Sequence, residues 1–353
     1  MADITLVNLN MLFMRYGEEI ERELHVPLGC LYLTRALEDA GFEVDFRDYQ
    51  TCATDDPFDI AAFLEFLKEP APVIGLSCMA NLLPFTILAM QALKKRYPGR
   101  TLVLGGVGSK SVEEKVLARF PWIDIICRGE GERTGPELLR ALKSGGPFDN
   151  ALRQALRQAQ GRERSRTAQG RPEGNRMGGD LGGVAGISYR DGAGKIRHNA
   201  DRARIRDLDS IPFPAFDRVE LKKYAGYGLM TSRGCPYPCT FCSVAPVWNL
   251  ESYSRSPQNI VAEMKLLHER AGADLFLFQD EFFVSGKRQV MAFCDELSRT
   301  GLKLEWKAFG RVNLVDEEMM RAMAACGCLE LRFGIESGSD RVLRIIRKGF
   351  TAG

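Results

Sequence analysis

Short apolar runs alternate with amphipathic segments along two stretches of the chain, one before residue 145 and one after residue 212. In the first stretch, runs such as ITLVNL, VIGLSC and TLVLGG are continuously apolar, which is typical of parallel strands buried on both faces. The segments between these runs have helical periodicity. The alternation predicts an α/β fold whose N-terminal domain is a doubly wound parallel, Rossmann-like sheet, with ligands bound at the carboxyl ends of its strands.

The second stretch repeats the strand–helix unit about four times before Gly353. Ser256 followed by Pro257 is predicted to begin one of its helices, and Asp316 is predicted to begin another. Repeated units of this kind predict a partial TIM-like (β/α) barrel, in which chemistry takes place at the carboxyl ends of the strands.

Three cysteines lie in one segment of the second stretch, TSRGCPYPCTFCSV, at Cys235, Cys239 and Cys242. Three thiolates can hold a 4Fe–4S cluster and leave one iron open to a substrate or cofactor. A structural zinc site needs a fourth Cys or His at short range, and neither His198 nor His268 has that spacing. The odd number of cysteines argues against a disulfide framework.

The spacing and context of these cysteines resemble those of the radical S-adenosylmethionine (SAM) enzymes. The resemblance implies that Cys235, Cys239 and Cys242 are both the catalytic and the metal-ligating residues. It also implies that the open iron of their 4Fe–4S cluster binds SAM. In that family an electron from the cluster cleaves SAM to a 5′-deoxyadenosyl radical.

Polar residues follow three consecutive predicted strands of the second stretch. Asp280 and Glu281 follow FLFQ, Arg311 follows KAFG and Glu336 follows RFGI. Carboxylates can accept hydrogen bonds from an amino group, and a guanidinium can pair with a carboxylate. The resemblance implies that these four residues contact the methionine or ribose part of SAM, and we expect them to be cofactor-binding.

The segments PLGCLYLTRALEDAGFEVDFRDY, GLSCM, LVLGGVGS and IICRGEGE resemble the cobalamin (B12)-binding domain that precedes many radical SAM cores. The resemblance implies that Ser77 contacts the nucleotide tail of cobalamin, with Gly105 and Gly106 beside it. Members with a histidine on cobalt carry an Asp-x-His-x-x-Gly motif after the first strand, which this sequence lacks. The resemblance therefore implies either cobalamin held without a histidine ligand or a domain that binds none.

These patterns predict three regions: a cobalamin-binding-like domain at 1–145, an intermediate region at 146–211 and an incomplete radical SAM core at 212–353. The intermediate region contains a polar inserted segment, a predicted β-hairpin with its turn at Asp191–Gly194, and a proline-bearing linker. The inserted segment has seven arginines but no aromatic residue for base stacking. Its low apolar content favours a disordered loop over a nucleic-acid site.

Composition narrows the partners of the chain. A net charge of +2 gives no basis for nucleic-acid binding, and ten scattered cysteines without a signal peptide favour the reducing cytoplasm.

The uncharged stretch Pro70–Leu93 contains prolines and polar residues, so we interpret it as a buried strand and helix and not as a membrane span. Radical SAM cores generally have six strand–helix units, so we also expect a truncated barrel with an open, apolar strand edge.

The leading hypothesis is a cobalamin-dependent radical SAM methyltransferase that acts on an unactivated carbon. Its expected partners are a small-molecule or peptide substrate and a reductant such as a flavodoxin or ferredoxin. One alternative is a methylthiotransferase-like enzyme, in which Cys30, Cys52 and Cys78 would hold a second cluster. Two others are a ring-forming radical SAM enzyme and a non-catalytic cobalamin-binding fragment.

Overall fold

The computed structural model describes residues 1–9, 12–16, 19–144, 180–281 and 283–353. The predicted inserted segment lies outside the described residues up to residue 179. The chain divides into two compact units. Met1–Arg22 and Gly29–Arg204 form the first unit, and Glu23–Leu28 and Ile205–Gly353 form the second.

The first part of the chain contains strands and helices that alternate as predicted. Its strands are β1 (Ile4–Asn8), β2 (Leu12–Tyr16), β3 (Glu19–Glu23), β4 (Val44–Asp48), β5 (Val73–Ser77), β6 (Thr101–Gly105), β7 (Ile125–Cys127), β8 (Ile187–Arg190) and β9 (Ile196–His198). Its helices are α1 (Leu28–Asp39), α2 (Ile60–Phe66), α3 (Leu83–Arg96), α4 (Glu113–Arg119) and α5 (Gly131–Ser144).

Seven of these strands form one sheet in the order β4-β1-β5-β6-β7-β8-β9. Strands β4, β1, β5, β6 and β7 are parallel to one another. Strands β8 and β9 are antiparallel and add the predicted hairpin to the sheet. The order of the parallel strands is that of a flavodoxin-like sheet, whose ligand site lies where the order reverses, between β1 and β5. The prediction of a doubly wound sheet is therefore confirmed.

Alternate side chains of the parallel strands pack against helices on opposite faces of the sheet. Ile74 and Leu76 lie in a buried cluster with side chains of α2, α3 and α4. Val73 and Val103 lie in a second cluster with side chains of α1 and α5. The period-two alternation within continuously apolar strands thus fills two cores, one on each face.

The strands β2 and β3 pair with each other in a separate two-stranded sheet. The sequence analysis assigned no element to this segment. Its second strand, EIERE, is mostly charged and lacks the apolar run by which a buried strand is detected.

The second unit contains the strands and helices of a partial barrel. Its strands are β10 (Tyr227–Leu229), β11 (Ser232–Arg233), β12 (Tyr253–Ser254), β13 (Leu275–Phe278), β14 (Glu305–Gly310) and β15 (Cys328–Phe333). Its helices are α6 (Val244–Trp248), α7 (Pro257–Ala271), α8 (Lys287–Arg299), α9 (Glu317–Ala325) and α10 (Asp340–Ile345). Strands β10, β13, β14 and β15 form a parallel sheet in this sequential order, and β11 pairs antiparallel with β12.

The helix starts of the second unit follow the sequence prediction. The Ser256 hydroxyl accepts a hydrogen bond from the Asn259 amide, and Pro257 occupies the first turn of α7. The Asp316 carboxylate accepts from the Met319 amide at the start of α9. These caps place the helices between strands, so that the carboxyl ends of β10, β13, β14 and β15 share one edge of the sheet.

Strand β15 pairs with β14 and is the last strand of this sheet among the described residues. Leu329 on β15 is 55% exposed and Ile345 at the end of α10 is 63% exposed. Both apolar side chains therefore face solvent in the described part of the chain.

The uncharged stretch Pro70–Leu93 divides into β5 and most of α3, as predicted. Its strand is buried in the sheet, and its helix packs through Ala89, Met90 and Leu93. Within the described ranges, no helix is both long enough and apolar enough to cross a membrane.

Candidate functional site

The cysteine loop, residues 234–243, connects β11 to α6 in the second unit, and each of its three sulphur atoms has an N–H donor. The Tyr237 amide donates to the Cys235 sulphur, and the Val244 amide donates to the Cys242 sulphur at 3.4 Å. The Arg311 guanidinium lies 3.9 Å from the Cys239 sulphur. Donors of this kind stabilise thiolates and set the potential of an iron–sulfur cluster.

The three thiols lie close enough to affect one another electrostatically. Burial raises the pKa of Cys235, the Tyr237 amide and Arg311 lower it, and the charges of Cys239 and Cys242 raise it further. No three His, Cys, Asp or Glu side chains in the described part of the chain are arranged to hold a single metal ion. Cysteine thiolates are soft donors, and in a cubane cluster each thiolate binds a different iron, so the donor set of this loop fits such a cluster.

Gly234 gives the loop its entry angle. Its φ is +93°, and a Cβ at this position would lie 2.1 Å from the Glu251 carbonyl oxygen. The Gly234 amide donates to the Glu281 carboxylate at 3.0 Å, and the Trp248 indole donates to the other oxygen at 2.6 Å. Glu281, which follows β13, thus links the start of the cysteine loop to the end of α6.

Asp280, the other predicted carboxylate after β13, faces the protein interior. It is 4% exposed, and its two oxygens accept from the amide and the hydroxyl of Thr231. Burial raises the pKa of Asp280 to about 6, although both hydrogen bonds from Thr231 lower it. In this geometry Asp280 holds the chain between β10 and β11, because its acceptor oxygens are already engaged.

Arg311 follows β14 and is 6% exposed. Its guanidinium lies 3.6 Å from the centroid of the Tyr237 ring and 5.5 Å from that of Phe350. It also donates to the Lys348 carbonyl oxygen. The arginine is therefore enclosed by aromatic rings while its other N–H group faces the Cys239 sulphur.

Glu336 follows β15 and has a φ of +66°, which is uncommon for a residue with a side chain. Its carboxylate accepts from the Lys348 ammonium at 3.0 Å. The structure therefore brings Glu281, Arg311 and Glu336 to the same edge of the sheet, where the sequence analysis placed them.

The predicted cobalamin contacts lie at the corresponding edge of the first unit. Ser77 and Gly105 end the neighbouring strands β5 and β6, in register with one another. A Cβ at Gly106 would lie 2.5 Å from the Cys78 carbonyl oxygen, so this glycine allows two loops to pack together. Gly105 differs, because its nearest neighbour is 3.8 Å away and its outer side is open.

The rim of this site is exposed and apolar. Met79 is 42% exposed and Val107 is 49% exposed, one on each of the two packed loops. A flat, largely apolar ring system can rest on such a rim, with the half-buried Ser77 available to its polar substituents. The residues present therefore fit a corrinoid ligand held without a protein ligand on its metal.

Several residues that support the cysteine loop escaped the sequence analysis. They are Thr231, Gly234, Trp248 and Lys348. The glycine directly before the first cysteine was a usable signal, because tight loops need a residue that tolerates positive φ. The other three act through long-range contacts that have no local sequence pattern.

Two family models match the sequence. The B12 binding domain matches residues 20–139 and the Radical SAM superfamily matches residues 229–352. Each match covers the part of the chain that contains one of the two sites described above.

Curated relatives extend the likeness to most of the chain. An uncharacterized methyltransferase of Pyrococcus horikoshii is 30% identical over 331 residues, which cover 92% of this chain and 64% of that protein. The anaerobic magnesium-protoporphyrin IX monomethyl ester cyclase of Cereibacter sphaeroides is 28% identical over 340 residues, which cover 92% of this chain and 49% of that protein. The chain thus spans 64% and 49% of the lengths of these two relatives.

A solved structure has the same fold. The radical SAM methyltransferase TsrM of Kitasatospora setae, with tryptophan and a SAM analogue bound, matches with a TM-score of 0.70 and 18% identity, over 99% of this chain and 62% of that one. At this identity the likeness concerns the fold alone, and it agrees with the α/β sheet and partial barrel seen here. The chain therefore matches the B12 binding domain in its first part and the Radical SAM superfamily in its second part, in that order along the sequence.

Proposed function

We propose that this chain is the cofactor-binding part of a cobalamin-dependent radical SAM methyltransferase that acts on an unactivated carbon. The observation that carries the proposal is the cysteine loop, in which three mutually close thiols each have an N–H donor. In this proposal Cys235, Cys239 and Cys242 ligate a 4Fe–4S cluster. When bound, the cluster supplies the electron that cleaves SAM to a 5′-deoxyadenosyl radical.

The protein's own contribution is to position the thiolates and to exclude water. Glu281 links Gly234, at the start of the loop, to Trp248, at the end of α6. Arg311 places a positive charge beside the Cys239 sulphur, at 3.9 Å. The Tyr237 and Phe350 rings cover the guanidinium and shield this side of the loop from solvent.

For SAM, the proposal assigns contacts to Arg311 and Glu336 at the strand ends. Glu281 and Asp280 are also assigned to the SAM site, through supporting roles, because both oxygens of each carboxylate already accept hydrogen bonds from the protein. A carboxylate from SAM would suit Arg311, and the ribose hydroxyls would suit Glu336.

For cobalamin, the proposal assigns contacts to Ser77, Gly105 and Gly106. The open side of Gly105 and the exposed Met79 and Val107 support this assignment. The methyltransferase name of the Pyrococcus horikoshii relative supports methyl transfer as the reaction.

Ring formation is the second candidate, because the Cereibacter sphaeroides relative is a cyclase. A methylthiotransferase is less well supported. Burial raises the pKa of Cys30 to about 12 and that of Cys78 to about 11, which disfavours the thiolates that a second cluster would need. A non-catalytic cobalamin-binding fragment is the remaining alternative.

The proposed partners are a small-molecule or peptide substrate and a flavodoxin or ferredoxin as reductant. All ten cysteines are free thiols. This favours a reducing compartment, and we propose the cytoplasm.

Anaerobic reconstitution with iron, sulfide and cobalamin tests the proposal. We expect about four irons per chain, since one cubane is held, together with the visible absorption of bound cobalamin and release of 5′-deoxyadenosine from SAM under a strong reductant. A Cys239→Ala variant should lose the cluster and the cleavage, whereas Cys294→Ala, a buried cysteine outside the loop, should retain both. Twice the iron would support a methylthiotransferase, and full cluster content in the Cys239→Ala variant would refute the assignment.

A further inference from the structure

The segment Ile346–Phe350, which we call the anchor segment, turns back sharply after α10. The Lys348 amide bonds to the Leu343 carbonyl oxygen at 2.9 Å, and the Arg347 amide bonds to that of Arg344 at 3.1 Å. Arg347 has a φ of +53° and Gly349 a φ of +79°. Two left-handed residues on either side of Lys348 reverse the chain and direct this lysine inward, where it is 7% exposed.

The anchor segment contacts the cysteine loop directly. The Thr240 amide, between the second and third cysteines, donates to the Ile346 carbonyl oxygen at 3.1 Å. The Lys348 ammonium lies 5.5 Å from the centroid of the Phe241 ring, in the same part of the loop. The backbone and the side chain of the anchor segment thus hold neighbouring residues of the loop.

The same lysine connects two of the strand ends. Its ammonium donates to the Glu336 carboxylate at 3.0 Å, and its carbonyl oxygen accepts from Arg311. Arg311 in turn lies against the Cys239 sulphur. The cysteine loop and the carboxyl ends of β14 and β15 therefore converge on Lys348.

This arrangement is unfavourable in free energy if it serves only to fill space. A positioning role therefore accounts for it better than packing does. Burying an ammonium is unfavourable unless it is paired, and an apolar residue would fill the same space without that cost. Glu336 and Arg347 both keep left-handed backbone conformations, which are unfavourable in residues with side chains and cluster at functional sites. The strain lies on either side of the ion pair.

We propose that Lys348 is a positioning residue for the cluster site: it holds the Cys239–Cys242 part of the loop and the Glu336 carboxylate in one fixed geometry. This rests on the proposed function in one respect, that the loop holds a 4Fe–4S cluster. The fixed geometry itself is a property of the polypeptide, and it exists before any cluster is bound.

Hydrogen exchange of the full chain, purified without iron, tests the positioning role. We expect Lys348→Met to speed exchange of the Thr240 amide about tenfold or more, because local opening no longer breaks the ion pair. Lys348→Arg keeps the charge and should stay close to the wild type. Lys287→Met is the matched control, since this half-exposed lysine also bonds to a carboxylate, Asp316, at 2.8 Å.

Unchanged exchange at Thr240 in Lys348→Met, or an equal increase in Lys287→Met, would overturn the proposal. If Lys348→Met does not fold, Glu336→Gln decides, because it removes the charge opposite the ammonium and leaves the lysine in place. For Glu336→Gln, faster exchange of the Thr240 amide by less than about tenfold supports the proposal, and unchanged exchange refutes it.

A second measurement separates this inference from the proposed function. In the reconstituted protein, Lys348→Met should shift the midpoint potential of the cluster to lower values, because a positive charge near the loop is lost. A wild-type chain that takes up no iron would refute the cluster and leave the exchange result standing. A cluster whose potential and stability are the same in both proteins would contradict the role of Lys348 toward the cluster.

Discussion

The two candidate sites lie at equivalent edges of two parallel sheets, yet they are held together by different forces. In the first unit, the loops after β5 and β6 bond through their backbones: the Cys78 amide donates to the Gly105 carbonyl oxygen at 3.2 Å, and the Gly108 amide donates to that of Cys78 at 3.0 Å. In the second unit, the charged side chains of Glu281 and Arg311, which follow two neighbouring strands, contact the cysteine loop. One site is fixed by close backbone approach and the other by electrostatics.

This difference determines what each site tolerates. Backbone packing is broken by any added side chain at a few glycines but is nearly insensitive to charge. Charged side chains can be replaced singly, with graded effects on the local geometry and on the potential of a bound group. We therefore expect the first site to fail at particular glycines, and the second to change gradually at its charged positions, with Gly234 as the exception.

Gly234→Ala is the largest expected effect, because here the cysteine loop also depends on close backbone approach. The new Cβ would meet the Glu251 carbonyl oxygen at 2.1 Å in a left-handed conformation. We expect a loss of about 3 kcal/mol or more in the free energy of unfolding of the second unit, since strain and steric overlap add. Urea denaturation followed by hydrogen exchange would locate the loss.

Gly272→Ala is the control for this variant, because its φ is +68° and nothing lies within 4 Å of the added Cβ. It should cost only the left-handed strain, about 1–2 kcal/mol. Gly106→Ala is the counterpart in the first unit and should destabilise that unit alone. Equal costs for Gly234→Ala and Gly272→Ala would show that backbone approach is unimportant in the cysteine loop.

Asp280→Asn tests the electrostatic side of the comparison through pH. The pKa of Asp280 is about 6 in the folded chain against its usual 3.8, because burial disfavours its charge. A raised folded-state pKa stabilises the protein at pH below 3.8, and this contribution is lost as the pH rises through 6. The wild type should lose about 2 kcal/mol more than the variant between pH 4 and pH 7.

Asparagine can preserve both contacts with Thr231, accepting from its amide and donating to its hydroxyl. Urea midpoints at several pH values give the difference between the two proteins, in which the other titrating groups cancel. Parallel pH profiles for the wild type and the variant would mean that Asp280 is not perturbed by burial.

The sequence predicted the elements of both units and the positions of the site residues because these depend on local patterns. Continuous apolar runs located β5 and β6, and the serine and aspartate caps located the starts of α7 and α9. The spacing of the three cysteines identified their loop, and the strand ends identified Arg311 and Glu336. Each of these signals is contained within a few consecutive residues.

What the sequence did not predict depends on contacts between distant residues. Asp280 was expected to face a ligand, but its partner Thr231 lies 49 positions earlier, and only the fold brings the two together. In the sequence, Lys348 is an ordinary charged residue at the end of a predicted helix. In the structure, the left-handed turn at Arg347 directs it inward. Position at a strand end is encoded locally, whereas the direction of a side chain is not.

Glu281→Gln should have a moderate effect on the cysteine loop. A carboxylate accepts from both Gly234 and Trp248, whereas an amide offers one acceptor oxygen and turns an NH₂ group toward the other donor. We expect a loss of about 1–3 kcal/mol, from one missing hydrogen bond. The indole N–H resonance of Trp248 should shift and exchange faster, while that of Trp122 in the first unit should not change.

Leu329→Lys should change stability least, within about 0.5 kcal/mol, because the side chain is exposed on the edge strand β15. It should nevertheless reduce self-association, since a charge on an open strand edge opposes pairing with a second chain. Leu88→Lys is the matched control: this leucine is also 55% exposed, but it lies on α3, whose backbone bonds are already satisfied within the helix.

Light scattering against concentration would compare the two variants. Equal scattering from both would mean that exposed apolar area drives association. A wild-type chain that stays monomeric would show that the strand edge at β15 does not pair with a second chain.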